Sequence, residues 1–180
     1  SAQAGIYKKA QTIPGHRYQI EAWGKHVRSQ SPVELMLGVD LSGGQDTARA
    51  IAVHGDDVIA VGSAGDARDF VVRSYEAKTG ALQWQDRVDS GGLDEALALA
   101  IQNWSAYVVG RVAASGNSDF VVRAYNRKTG ALRWDDIFDF GGNDIARTVT
   151  VAEGQVFVGG SLQEAGFGDS AIVVRAYGAK

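Results

Sequence analysis

Asp119-Phe120-Val121-Val122-Arg123-Ala124-Tyr125, followed by Lys128-Thr129-Gly130-Ala131-Leu132-Arg133-Trp134, is the stretch that decides the fold, because the chain carries it twice. Fifty positions earlier stand Asp69-Phe70-Val71-Val72-Arg73-Ser74-Tyr75 and Lys78-Thr79-Gly80-Ala81-Leu82-Gln83-Trp84. The pair Gly91-Gly92 returns at the same offset as Gly141-Gly142, and Val173-Val174-Arg175-Ala176-Tyr177 begins a third copy. Towards the N-terminus the signal weakens. Leu41-Ser42-Gly43-Gly44-Gln45-Asp46 matches Asp89-Ser90-Gly91-Gly92-Leu93-Asp94, and Tyr18 to Trp23 has the pattern of the strand at Phe120–Tyr125. A fixed period of this length marks a repeat architecture in which each copy is one supersecondary unit.

Each full copy holds four short apolar or alternating runs: Ala96–Ile101, Ala106–Val112, Phe120–Tyr125 and Ala131–Phe138 in the second. Runs of that length, rich in Val, Ile, Leu and aromatics, read as strands. Asn, Gly and Ser punctuate them, and Gly supplies the positive φ of tight hairpins. Asp94–Ile101 is alanine-rich, but its equivalents Ala48–Val53 and Ala146–Val151 are more β-branched, so strand is expected there as well. Four antiparallel strands per repeat predict an all-β chain of β-propeller-type blades. Ala48, Ala50 and Ile51, with Ala96, Ala98 and Leu99, are small or apolar and suit the crowded innermost strand. The expected units are residues 46–93 and 94–143 as blades, and 144–180 as a blade without its last strand. Residues 1–45 are read as a degenerate or partial blade, or as the remnant of a β-sandwich module. The ring is therefore incomplete within one chain, and completion by a second chain is one expectation. The other is that the chain is a piece of a longer polypeptide.

The run from Ala124 to Trp134 resembles the tryptophan-docking motif of quinoprotein-type, PQQ-like propeller repeats. Ser74 to Trp84 is a second match, with Glu76 and Asn126 where the family has Asp. The resemblance covers residues 46–180 and assigns structural docking roles to Thr79, Gly80, Trp84, Ala124, Asn126, Thr129, Gly130 and Trp134. It implies a Thr-Gly turn and an indole wedged against the next blade, which is stacking and not catalysis. Quinoprotein dehydrogenases also need calcium-binding carboxylates, a catalytic Asp and usually a vicinal disulfide, and the chain has no Cys. A quinoprotein-type oxidoreductase fragment is therefore only an alternative, and no cofactor is expected. Residues 4–45 resemble the last strands of a jelly-roll carbohydrate-binding module, through Gly5-Ile6-Tyr7, Pro14-Gly15 and Tyr18-Gln19-Ile20-Glu21-Ala22-Trp23.

Composition limits the remaining functions. With 45% hydrophobic residues the chain can bury a core, and a net charge of -3 argues against a nucleic-acid binder. No apolar run reaches the length of a membrane span. Without Cys, thiolate metal sites are excluded, and His16, His26 and His54 have no metal-ligand spacing. Asp46, Asp94 and Asp144 each follow a Gly-Gly pair in register. A ring of these carboxylates could hold Ca2+, whereas a local Asx-turn explains the repetition without an ion. Asp69, Asp119 and Asp169 form a second such series. Arg73, Arg123 and Arg175 recur within the third strand and are expected to pair with a repeated Asp. Trp23 and Trp104 fall outside the docking pattern and are candidates for stacking on a sugar ring. The functional expectation is a non-catalytic binding or assembly module exported from a bacterial cell, extracellular or periplasmic. Its partners would be proteins, with self-association first, and a glycan is the alternative.

Overall fold

A computed structural model describes residues 44–113 and 116–179. Among these residues there is no helix. Eleven strands follow one another: β1 (Thr47–His54), β2 (Asp57–Ala64), β3 (Asp69–Glu76), β4 (Leu82–Val88), β5 (Glu95–Gln102), β6 (Ser105–Val112), β7 (Asp119–Asn126), β8 (Leu132–Phe138), β9 (Ile145–Ala152), β10 (Gln155–Gln163) and β11 (Ser170–Gly178). They form three antiparallel meanders, β1-β2-β3-β4, β5-β6-β7-β8 and β9-β10-β11. The alanine-rich segment after Asp94 is strand β5, as its repeat equivalents required. Residues 1–43, and with them the proposed partial blade, the sandwich remnant, Trp23, His16 and His26, lie outside the described residues.

Three local rules fix each sheet. First, the opening hairpin closes through two residues, with positive φ at Gly55 (62°), Asn103 (53°) or Glu153 (50°). Turns of this hand match the twist of the flanking strands. Second, β1, β5 and β9 each slip register by one residue against their neighbour, at Ala48/Ala50, Ala96/Ala98 and opposite Gly159/Gly160. Third, a glycine faces each slip. A Cβ on Gly62, Gly110 or Gly160 would lie 1.9, 1.9 or 2.1 Å from the carbonyl oxygen of Thr47, Glu95 or Ile145. Only a residue without a side chain lets the innermost strand bend this close.

The sheets stack face to face, with β1, β5 and β9 adjacent at the inner side. Alternation along β6 assigns its two faces. Ala106 and Val108 join Ile59, Val61, Phe70, Val72 and Trp84 of the first sheet in one core. Tyr107 and Val109 join Phe120, Val122, Ala124, Ala146, Val156 and Val158 in the next core. A period of two therefore serves two interfaces at once. Among the described residues, no such neighbour lies beyond the third sheet. Ile172 and Val174, the counterparts of buried Phe120 and Val122, are 92% and 69% exposed. The stack is open, as incomplete propeller blades require.

Candidate functional site

The chemistry-bearing side chains collect at the blade junctions. Asn126 accepts the N–H groups of Lys128 (3.0 Å) and Thr129 (3.3 Å), and the Thr129 hydroxyl accepts the Ala131 N–H (3.3 Å). Gly130 donates to the Asn126 carbonyl at 2.8 Å with φ of 73°. In the first blade Glu76 replaces Asn126, and its carboxylate takes the Thr79 hydroxyl, while Ala81 N–H bonds Thr79 at 3.2 Å. The turn conformation is thus kept with a longer side chain, and Gly80 again has φ of 73°.

That turn is the platform for the preceding blade's indole. Trp84 lies over Gly130, where a Cβ would come within 2.7 Å of the ring. Its Nε1–H donates to the Arg127 carbonyl at 2.8 Å, and its ring stacks on Tyr125 at 5.9 Å. Trp134 repeats the contact one blade on, stacked with Tyr177 at 5.4 Å. Ala124 is fully buried under the third sheet. A polar set accompanies each ring. Tyr125 Oη donates to Asp86 at 2.7 Å with Arg123 at 3.6 Å, and Tyr177 Oη donates to Asp136 at 2.8 Å with Arg175 at 3.0 Å. Burial, aided by these carboxylates and opposed by the arginines, pushes both phenols well above the ordinary tyrosine range. Arg123 and Arg175 pair with a repeated Asp, but it belongs to the preceding blade.

Two buried ion clusters reinforce the first junction. Asp57, fully buried, receives Arg127 and, at 2.7 Å, Lys128 from the second blade's turn. Arg127 also donates to the Asn103 carbonyl and carries Trp104, 59% exposed, at 5.0 Å from its guanidinium. Glu95, nearly buried, sits between Arg49 and Arg111. Burial opposes its charge, but hydrogen bonds and the fields of both arginines outweigh that and hold its carboxyl below the usual 4.5. A group with a depressed folded pKa stabilises above its unfolded pKa and loses that contribution as pH falls through the folded one. Urea midpoints should therefore drop as the solution is acidified below 4.5, and Glu95→Gln should flatten that part of the profile. An unchanged profile would contradict the assignment.

The carboxylates that follow the Gly-Gly pairs act as staples. Asp46 accepts Gly65 N–H (2.8 Å). Asp94 accepts Ser90 N–H (2.6 Å) and Ala113 N–H (2.8 Å), and Asp144 accepts Gln163 N–H (2.8 Å) and Phe140 N–H. They join the start of a blade to the far end of its second strand, which is a longer reach than the local turn expected. The local Asx-turns belong instead to Asp89 and Asp139, which accept Gly91 and Gly141 N–H at 2.9 and 2.6 Å. The three staples do not converge. The carboxylates that come together among the described residues are Asp69, Asp89 and Asp94. On the outer face of the first sheet, a cavity of ≈ 400 Å³ is lined by Ile51, Val58, Ala60, Val71, Arg73 and Tyr75.

This geometry is one of stacking blades, and the sequence comparison agrees. The PQQ_2 family model, described as outer membrane protein assembly factor BamB, matches residues 30–175. The chain belongs to this family. The match spans all three sheets and extends into the undescribed N-terminal part. A search of the curated proteins finds no match to the chain. No helix of the described residues is long and apolar enough to cross a membrane.

Proposed function

We propose that the chain is a non-catalytic protein-binding module of an exported bacterial assembly factor, acting outside the cytoplasm, and that its open blade face is where a protein partner docks. The observation that carries this reading is the face of β11. Phe120, Val122 and Ala124 are buried under the following sheet, whereas Ile172, Val174 and Ala176, on the equivalent face, are exposed. An apolar face built to the pattern of a junction selects another β-surface. The family description, an outer membrane protein assembly factor, supports an assembly role and an envelope location. The repeated polar groups support it too, since those at the junctions are engaged in holding blades together. A second copy of the chain is the simplest partner to test.

Size-exclusion chromatography with light scattering on the 180-residue chain should find a dimer or larger species. Val174→Lys should return it to a folded monomer that melts no lower than the dissociated wild-type chain, because the side chain is solvated in the single chain. A wild-type chain that stays folded and monomeric at every concentration would overturn self-association through this face.

A further inference from the structure

We propose that Asp69, Asp89 and Asp94 form a calcium site at the connection between the first and second blades. One carboxylate oxygen from each lies within 4.8 Å of the others. Oxygens sharing one Ca2+ at 2.3–2.6 Å can be no more than about 5.2 Å apart, so a single ion can reach all three.

The second observation is an orphaned atom. Asp69 is 1% exposed, and one of its oxygens, Oδ2, takes the Arg87 guanidinium. The other, Oδ1, is buried with no hydrogen-bond partner. Leaving a carboxylate oxygen dry and unpaired is costly, and a cation is the partner that a cluster of acceptors lacks. The charge count points the same way. Three carboxylates against one guanidinium leave a net charge of −2, which one divalent ion cancels. Asp94 is buried and already oriented by Ser90 and Ala113, while Asp89 is exposed and gives the ion a way in. An all-oxygen set without His or Cys suits a hard cation. Two of the three carboxylates, Asp89 and Asp94, lie on the connecting loop, and such a set suits Ca2+ with its flexible coordination better than Mg2+, which demands a tight octahedron.

The repeat supplies a comparison within the molecule. Asp119, Asp139 and Asp144 occupy the same positions fifty residues on, and Asp119 Oδ1 is also buried without a partner. Ile137 stands there in place of Arg87. Among the described residues, however, only the first trio brings its oxygens within reach of one ion. The ion would tie the start of β3 to the segment entering β5, so it would act on how the two blades are joined.

The test is thermal unfolding and calorimetric titration of the full chain after treatment with EDTA, using CaCl2 as the probe. Binding with a Kd on the order of 10⁻⁴ to 10⁻³ M is expected, with a melting temperature that rises with calcium. MgCl2 at the same concentration should give a smaller rise. Asp89→Asn, at an exposed position, should weaken calcium at least about tenfold, a loss of one of the charges that set affinity, and leave the calcium-free melting temperature unchanged or higher. Asp139→Asn should keep the response. No response to calcium in the wild type, an undiminished response in Asp89→Asn, or an equal response to magnesium would each overturn the assignment. None of these results bears on association through β11.

Discussion

Trp84→Ala should be among the most damaging single truncations in the described part of the chain, at about 3–5 kcal/mol of folding stability, the usual range for emptying a large buried aromatic site. Trp84 is 9% exposed, yet it belongs to β4, whose other side chains mostly face solvent. Its contacts lie in the next blade: the Gly130 platform, the Tyr125 ring and the Arg127 carbonyl. Alanine would remove the ring from between two sheets and leave that carbonyl buried without its donor. Trp84→Phe separates the two effects, because it keeps most of the apolar contact and loses only the Nε1–H, for roughly 1–3 kcal/mol. Chemical denaturation followed by far-UV circular dichroism measures both. A loss below about 1 kcal/mol for Trp84→Ala, the typical size for an ordinary substitution, would mean that the indole is not what joins the blades.

That prediction rests on a motif legible in the sequence, and the reason is the repeat. Any contact made at both junctions is recorded at two positions that are one repeat apart, 50 residues for Trp84 and Trp134 and 52 for Arg123 and Arg175. Trp84 and Trp134, Asp86 and Asp136, and Arg123 and Arg175 could all be paired off from spacing alone. The strands, their order and their two buried faces follow from the same periodicity. What the spacing could not show is which blade supplies the partner. Arg123 meets Asp86 across a junction. The carboxylate after each Gly-Gly pair reaches a backbone N–H nineteen residues on for Asp46, Asp94 and Asp144 alike. Gly62, Gly110 and Gly160 recur plainly, but the carbonyl that forbids a side chain is a matter of strand register. Least legible of all are contacts made once. Arg127 has Ala77 and Ala179 as its counterparts, so nothing in the repeat marks it.

Arg127 is nevertheless at the centre of the second large effect expected. Asp57→Ala should cost about 3–5 kcal/mol, the penalty for stripping the partner from a buried charge. The Arg127 side chain is 8% exposed and cannot swing into water without breaking its bond to the Asn103 carbonyl. Lys128→Ala removes a second cation from the same carboxylate, but its side chain is 43% exposed. Most of that interaction is screened, and a change of about 0–1 kcal/mol is expected. The contrast is the test, since an effect of simple proximity to Asp57 would make the two substitutions comparable. A further variant distinguishes the worth of the pair from the penalty of breaking it. Asp57→Leu combined with Arg127→Met replaces both charges by apolar groups, and much of the stability lost in Asp57→Ala should return. If the double variant is as unstable as Asp57→Ala, the ion pair itself contributes to blade docking. If it recovers, the pair selects the register of the turn against the neighbouring hairpin, and the apolar core supplies the stability.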